Sequence, residues 1–342
     1  MYNHKAPHRQ WWPAPRHVGS LGEVEFEAPK TLLDDYSNRG RAAKEAEMRI
    51  SIHMGLTLDN KLRPEIIKSL EFESFSKFYG SAFERNYAKL TEEERAVWDA
   101  YYDPINDQFA VNPPQGDDLT RWKYQRYMED YLGSIQAVDE NIGRLLDYLD
   151  ETGLAESTLV VYTSDQGFYL GEHGWFDKRF MYEESFRTPL LMRWPGTIVP
   201  HSVNYQLVQN LDFAETFLEI AGVPIPSDMQ GKSLIPLMKG EKVNWRSAIY
   251  YHYYEYPGVH AVKRHYGART DRYKLIHFYH DVDEWELYDL ELDPQELNNV
   301  IDDLEYQSIK ADMMNHLLQL QVQYGDSDEL ANEILQSDLS KN

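Results

Sequence analysis

The sequence predicts an α/β fold followed by a smaller antiparallel α+β region, and three observations carry that expectation. A long amphipathic helix over residues 119–150 feeds a short apolar, β-branched stretch at residues 159–163. A second strand pattern at residues 188–194 precedes a helix over residues 210–220, and this strand–helix alternation points to a mixed, largely parallel sheet. Residues 245–290 then become rich in Tyr, His and Trp with turns between, the mark of antiparallel strands. The composition shift after Gly240 predicts two parts. Residues 1–240 form an α/β core, and residues 241–342 form a smaller antiparallel-sheet subdomain with a terminal helix.

Residues 1–40 are too proline-rich for regular structure. Within them His4, Lys5, His8 and Arg9 either line a pocket or belong to a proline-punctuated surface arm. Residues 39–49 read as a solvated helix, and residues 50–118 as helical pieces. One piece starts at Thr91, which can cap, with Glu92, Glu93 and Glu94 complementing the positive end of the helix. In the next helix Tyr124, Met128, Tyr131, Ile135, Val138, Ile142, Leu145 and Leu149 recur at helical spacing, so the whole stripe is expected in the core, with Gly153 as the stop. Gly222 closes the helix over residues 210–220. A last helix over residues 303–324 places Ile309, Met313, Leu317 and Leu320 on one face, and the polar tail from Gly325 is expected to fray.

At 342 residues the chain can bury a sizeable core, and 25 tyrosines with 13% aromatic content argue against disorder. The net charge of −23 argues against non-specific nucleic-acid binding and against an anionic membrane surface. No stretch approaches the ~18 consecutive apolar residues of a spanning helix, and the first residues have no apolar signal-peptide core. Cysteine is absent, which removes disulfides, thiolate metal sites and cysteine nucleophiles.

The chemistry-bearing residues begin where the strand at 159–163 ends. Ligands bind at the carboxyl ends of strands in open α/β sheets. There Asp165 and Gln166 offer oxygen to a hard divalent cation, Gly167 permits a sharp turn, and His173 and Lys178 follow with one titratable and one fixed positive group. A second concentration of positive charge comes from His252, His260, Lys263, Arg264, His265 and Arg269. It either grips sulfates or carboxylates of a sugar, with His260, His265 and Arg269 as the chosen contacts, or pairs with acids such as Asp281 and Asp283.

Taken together, the run from Asp165-Gln166-Gly167 through Gly171-Glu172-His173-Gly174 to Asp177-Lys178-Arg179-Phe180 resembles the type I sulfatases of the alkaline phosphatase superfamily. Arg187-Thr188-Pro189-Leu190, Trp194-Pro195-Gly196, Gly231-Lys232-Ser233-Leu234 and the block Glu286 to Glu296 continue the likeness in order. It is nearest to glycosaminoglycan-type enzymes such as N-acetylglucosamine-6-sulfatases and iduronate sulfatases. The resemblance implies a partial alkaline-phosphatase-like core, hydrolysis of sulfate esters of sugars, and Ca2+ held in part by Asp165 and Gln166. It further implies that Lys178 touches sulfate oxygens, that His8 protonates the leaving oxygen, that His173 lies in the substrate site, and that the complete protein is exported. The family nucleophile is a formylglycine made from Cys or Ser in a C/S-x-P-S-R motif, which is absent here, as are the early acidic ligand pair and the first sulfate-binding Lys and His. The resemblance therefore implies a piece of a longer protein, inactive alone, with the missing part before Met1. A phosphomonoester or phosphonate hydrolase of the same superfamily, or a non-catalytic sulfated-sugar-binding remnant, are the alternatives.

Overall fold

The computed structural model describes residues 1–70, 76–258 and 260–340. Its helices are α1 (Arg41–Lys44), α2 (Pro64–Ser69), α3 (Ser76–Tyr87), α4 (Glu92–Val111), α5 (Gly116–Glu151), α6 (Glu183–Phe186), α7 (Asp212–Ile220), α8 (Ile235–Met238), α9 (Gln307–Tyr324) and α10 (Asp328–Leu339). The strands are β1 (Val160–Thr163), β2 (Tyr169–Leu170), β3 (Phe176–Asp177), β4 (Leu190–Arg193), β5 (Ala248–Tyr253), β6 (His265–Thr270), β7 (Tyr273–Phe278) and β8 (Glu284–Asp289). Helices and strands alternate as in an α/β protein. Two compact units result, and the first lies wholly before residue 240 while the second runs across it. One comprises Met1–Asp34, Met48–Gly153 and Tyr169–Asp177, the other Asp35–Glu47, Leu154–Phe168 and Lys178–Asn342.

In the first unit, α4 begins with the expected cap. The Thr91 side chain accepts from the Glu94 amide while the Glu94 carboxylate accepts from the Thr91 amide, satisfying two orphan donors. The stripe on α5 is core only as far as Ser134. Tyr124, Tyr127, Met128 and Tyr131 are buried, with Trp11 against Tyr127 and Tyr131. Beyond that point Ile135, Val138, Ile142 and Leu149 are half-buried and Leu145 is exposed, which corrects the expectation of a continuous core face. The spacing is helical throughout, and what differs is whether anything packs against it. The buried half also carries charge: Lys61 pairs with Asp130 at 3.1 Å, and Tyr102 donates to Asp130 at 2.5 Å. Lys123 donates to the carbonyls of Ile50, Ser51 and Met54, tying the irregular 50–60 segment to α5.

The second unit is built on the antiparallel sheet β5-β6-β7-β8, covered by α9. Ala268 and Leu275 in the sheet meet Met313, Leu317 and Leu320 of α9 in one cluster, with Ile309 packed at its side, as the helical spacing predicts. The tail beyond Gly325 does not fray at once. Gly325 ends α9 in the left-handed conformation, Ser327 caps α10, and Ala331 and Leu335 are buried. Its amphipathic spacing is too short to stand out among the surrounding polar residues. The segment read as a solvated helix over 39–49 forms only α1, and Ala42, Ala43 and Ala46 are buried.

Every ladder among the described residues is antiparallel, so the largely parallel pairing expected for the first part is not formed. β1 pairs with β4, placing Val160 opposite Arg193 and Thr163 opposite Leu190. A parallel neighbour needs a crossover connection, generally a helix of several turns, and the chain between β1 and β4 holds only short strands and single helical turns.

Charge is buried deliberately beneath the sheet. Lys274 of β7, with no exposed surface, lies 2.9 Å from Glu183 and 2.7 Å from Glu296, and Glu183 also binds Arg269. Burial pushes Glu296 up to about 7 against the pull of Lys274. Burial also works to raise Glu183, but Lys274 and Arg269 outweigh it and hold that carboxyl at about 2. A folded-state value raised from 4.5 to about 7 means that the contribution of Glu296 is fully present below pH 4.5 and is lost as pH rises to about 7. Glu296→Gln is therefore expected to remove on the order of 3 kcal/mol of the fall in unfolding free energy across that window. Urea titrations at pH 4.5 and 7.5 check this, and an unchanged difference between the two pH values contradicts it.

Candidate functional site

β1 ends at Thr163, whose hydroxyl donates to the Pro189 carbonyl at 2.9 Å and fixes the strand end against the start of β4. The turn that follows carries Asp165, Gln166, Gly167 and Phe168. The Gly167 amide donates to the Ser185 carbonyl at 2.9 Å. A Cβ at Gly167 would overlap the carbonyl oxygens of Glu184 and Arg187, so close backbone approach requires glycine here. The Asn210 side chain donates to the Asp165 carbonyl at 2.9 Å, and Ser164 Oγ donates to Asp165 Oδ1 at 3.3 Å. Asp165 is left exposed and Gln166 half-buried.

Ser185 holds the second half of the site as well. Its Oγ accepts from the Arg179 amide at 2.6 Å, so one residue joins the 165–168 turn to the Lys178-Arg179 segment. Lys178 is buried with Nζ 5.6 Å from the centre of the Phe168 ring, a cation–π approach that seats the ammonium above the turn. Arg179 has φ +111°, a left-handed backbone that a side-chain-bearing residue adopts only where its surroundings impose it. Two of those surroundings are the Ser185 bond and the Tyr251 hydroxyl, which donates to the Arg179 carbonyl at 2.8 Å. The guanidinium lies 3.9 Å from Glu255, which also accepts from Tyr253 at 2.7 Å and contacts His260 at 2.7 Å. Burial works to raise the Glu255 carboxyl, and the hydrogen bonds from Tyr253 and His260 outweigh it and lower the group.

Asp165 and Gln166 supply two oxygen donors, whereas Ca2+ takes about 6–8. Among the described residues no group of three or more His, Asp or Glu is placed to hold a metal. The pair fits as part of a donor set and not as a whole one.

The other residues singled out from sequence divide by unit and by burial. His8 and His173 lie in the first unit, Asp165, Gln166 and Lys178 in the second. His8 is exposed, its Nδ1 2.7 Å from the Arg9 carbonyl, next to Arg9 held on Asp59 by two bonds of 2.7 and 2.6 Å. His173 is buried with φ +55°, its amide on Thr31 Oγ1 and its ring beside Tyr169 and Trp175. It shapes its own turn and presents little surface to a solute.

The positive concentration in the second unit is consumed internally. Lys263 pairs with Asp281 at 2.5 Å and Glu45 at 3.2 Å, Arg264 with Asp338, His277 with Asp283, and Arg269 with Glu183. His265 is completely buried among Phe180, Tyr251, Tyr253 and Phe278, and burial lowers it to about 3, so its ring is a neutral packing element. Of the three chosen contacts, His260 alone keeps a partly exposed ring and a link, through Glu255, to Arg179. Sequence reasoning passed over Arg179, Ser185, Tyr251 and Glu255. Arg179 stood beside Lys178 as a signal, but nothing in sequence separated by up to seventy-odd residues marked the others.

A family model described as "Sulfatase" matches residues 58–223, and one described as "N-sulphoglucosamine sulphohydrolase, C-terminal" matches residues 171–323. The chain is 48% identical over 333 residues to an N-acetylglucosamine-6-O-sulfatase of Bacteroides thetaiotaomicron, covering 96% of this chain and 58% of that protein. It is similar, with TM-score 0.89 and 48% identity, to a solved structure in complex with its substrate D-glucosamine-2-N,6-O-disulfate, covering 96% of this chain and 66% of that one. A phosphonate monoester hydrolase of Agrobacterium radiobacter is more distant, with TM-score 0.54 and 26% identity over 61% of this chain and 44% of that one. The chain thus spans less than two thirds of each relative's length.

If Ser185 is the joint between the two halves of the site, Ser185→Ala leaves the Arg179 amide without its acceptor. The expected loss is about 1–3 kcal/mol of unfolding free energy, together with faster hydrogen exchange at the Arg179 amide. A variant indistinguishable from the parent in both measurements contradicts that role.

Proposed function

The chain belongs to the type I sulfatase family, and on that premise we propose that it is part of a hydrolase acting on sulfate esters of amino sugars. The observation that carries the reading is the 48% identity, over nearly the whole of this chain, to a 6-O-sulfatase of N-acetylglucosamine. Cleavage of a sulfate ester moves charge onto the leaving oxygen and spreads it over the sulfuryl group. A fixed ammonium aimed at the sulfuryl oxygens lowers that barrier, and an acid discharges the leaving oxygen.

In this reading Lys178 receives the sulfuryl oxygens. Its seating on Phe168 and the Ser185 joint support the role by limiting how far Nζ can wander from the turn. Asp165 and Gln166 contribute two donors toward a calcium ion, which would neutralise sulfuryl charge, and the remaining donors come from outside these residues. Arg179, which follows Lys178 in the chain, with Glu255 beside it and His260 beside Glu255, supplies polar groups suited to sugar hydroxyls. These 342 residues contain neither cysteine nor Ser-x-Pro-Ser-Arg, so in this reading no formylglycine forms among them and no sulfate release is expected of the chain alone.

The test is calorimetric titration of the chain with glucosamine 6-O-sulfate and with glucosamine. Tighter binding of the sulfated sugar, abolished by Lys178→Ala, is the expected outcome, with no sulfate release from the chain alone. Equal affinity for the two sugars overturns the reading. The likeness to a phosphonate monoester hydrolase favours a second reading, preferential binding of a phosphonate monoester, which the same titration distinguishes.

A further inference from the structure

Two consecutive cations immediately before β6 hold one residue of the connection that leads into it. Arg264 Nε donates to the Tyr256 carbonyl. Lys263 Nζ donates to the Tyr256 hydroxyl at 3.1 Å and lies 4.5 Å from the centre of its ring. Arg264 has no exposed surface and Lys263 is 7% exposed. Cations this deep persist only with carboxylates and hydrogen bonds around them. Lys263 has Asp281 at 2.5 Å and Glu45 at 3.2 Å, and Arg264 has Asp338 at 2.8 Å.

The residue before the clamped one is Glu255, whose carboxylate accepts from Tyr253 at 2.7 Å and stands 3.9 Å from the Arg179 guanidinium. The chain folds back so tightly after it that a Cβ at Gly258 would lie 2.6 Å from the Glu255 carbonyl oxygen. Peptide planes do not twist, so only a few rotatable backbone bonds separate the Glu255 side chain from the clamped Tyr256 carbonyl. The direction of the carboxylate is therefore set largely by the clamp. A guanidinium suits this task, because its planar fork bonds a carbonyl and a carboxylate in fixed directions at once.

The carboxylate on Arg264 comes from α10, 74 residues further along the chain. That helix has its own seat. Ala331 and Leu335 are buried, and the Tyr266 hydroxyl donates to Asp328 at 2.9 Å. Removing the Asp338 carboxylate leaves those contacts in place and takes away the brace on Arg264. All of these residues belong to the second unit.

We propose that Arg264 is a positioning residue for Glu255, and that Asp338 of α10 acts on the same carboxylate by bracing Arg264. The last helix thereby tunes the grip on a sugar without touching it. The inference rests on the role given above to Glu255 as a contact for sugar hydroxyls.

The experiment titrates the chain calorimetrically with glucosamine 6-O-sulfate and with inorganic sulfate, as the parent, Asp338→Asn, Glu255→Gln and the double variant. Asp338→Asn is expected to weaken the sugar sulfate by roughly fivefold and to leave inorganic sulfate, which has no ring hydroxyls, as it was. In the Glu255→Gln background the same substitution should change nothing further, because its route is already cut. Arg264→Lys, which keeps the charge and loses the fork, should reproduce both results. Glu333→Gln, an exposed change on the same helix, should leave every affinity untouched. Equal losses in both backgrounds, or weaker inorganic sulfate alongside weaker sugar sulfate, mean general damage and overturn the inference. So does parental affinity in Asp338→Asn. Hydrogen exchange scores the link without any sugar: the Glu255 and Tyr256 amides should exchange faster in Asp338→Asn, and unchanged rates overturn it. A parent that binds glucosamine as tightly as its 6-O-sulfate contradicts the sulfatase reading, and the same variant cycle run with glucosamine then decides the positioning role.

Discussion

The approach of two backbones at Gly167 is the constraint on which the site depends. The turn after β1 presses onto residues 184–187 so closely that a single methyl would collide with two carbonyls. That proximity lets Ser185 accept from Gly167 through its carbonyl and from Arg179 through its hydroxyl. Flexible turns are thereby converted into one object, and Lys178 inherits a position from it. In the role proposed for Lys178, preorganisation of this kind would let a single ammonium meet developing charge without reorganisation. The left-handed backbone at Arg179 is the local strain that the arrangement stores.

Electrostatics in the second unit follow a different rule. The chain is strongly acidic, and its acids find its cations wherever they can be buried together. Lys274 between Glu183 and Glu296 and Arg264 on Asp338 are fully desolvated cations, each with carboxylate partners. Such pairs add little net stability over apolar residues, yet one partner cannot be removed cheaply. Through Glu183, the Arg269 and Lys274 pairs tie β6 and β7 to the α6 segment, which starts at Glu183 and includes Ser185. The salt network and the site therefore meet in α6, which holds both Glu183 and Ser185.

On α7 the buried residues Asp212, Glu215 and Thr216 are polar while Phe217 and Ile220 are exposed, and no residue of the β1–β4 pair is buried. Backbone bonds to Asp212, Glu215 and Thr216 orient the helix without help from apolar packing. The second half of α5 in the other unit is likewise incompletely covered, with Ile135, Val138, Ile142 and Leu149 half-buried and Leu145 exposed. Elements with few buried contacts open most readily, so exchange and proteolysis should concentrate there.

Local signals determined much of this protein. The capping box at Thr91, the single long helix of α5, the stop at Gly222 and the four aromatic strands of the last sheet follow from spacing and turn chemistry within a few residues. The block from Asp165 to Phe180 likewise carried the likeness to its family, which the family models and the 48%-identical relative bear out. Tertiary structure alone decided the rest. Periodicity states that a helix has an apolar face and is silent on whether anything covers it, which is how α5 and α7 escaped. Charge in sequence has no partner list, so His265 and Arg269 read as ligands until burial and Glu183 claimed them. Strand direction needs a neighbour, and β1 found an antiparallel one because the chain returning to it contains no crossover helix. Pairings between distant residues are set by packing, and packing is the part of the information that a linear reading does not contain.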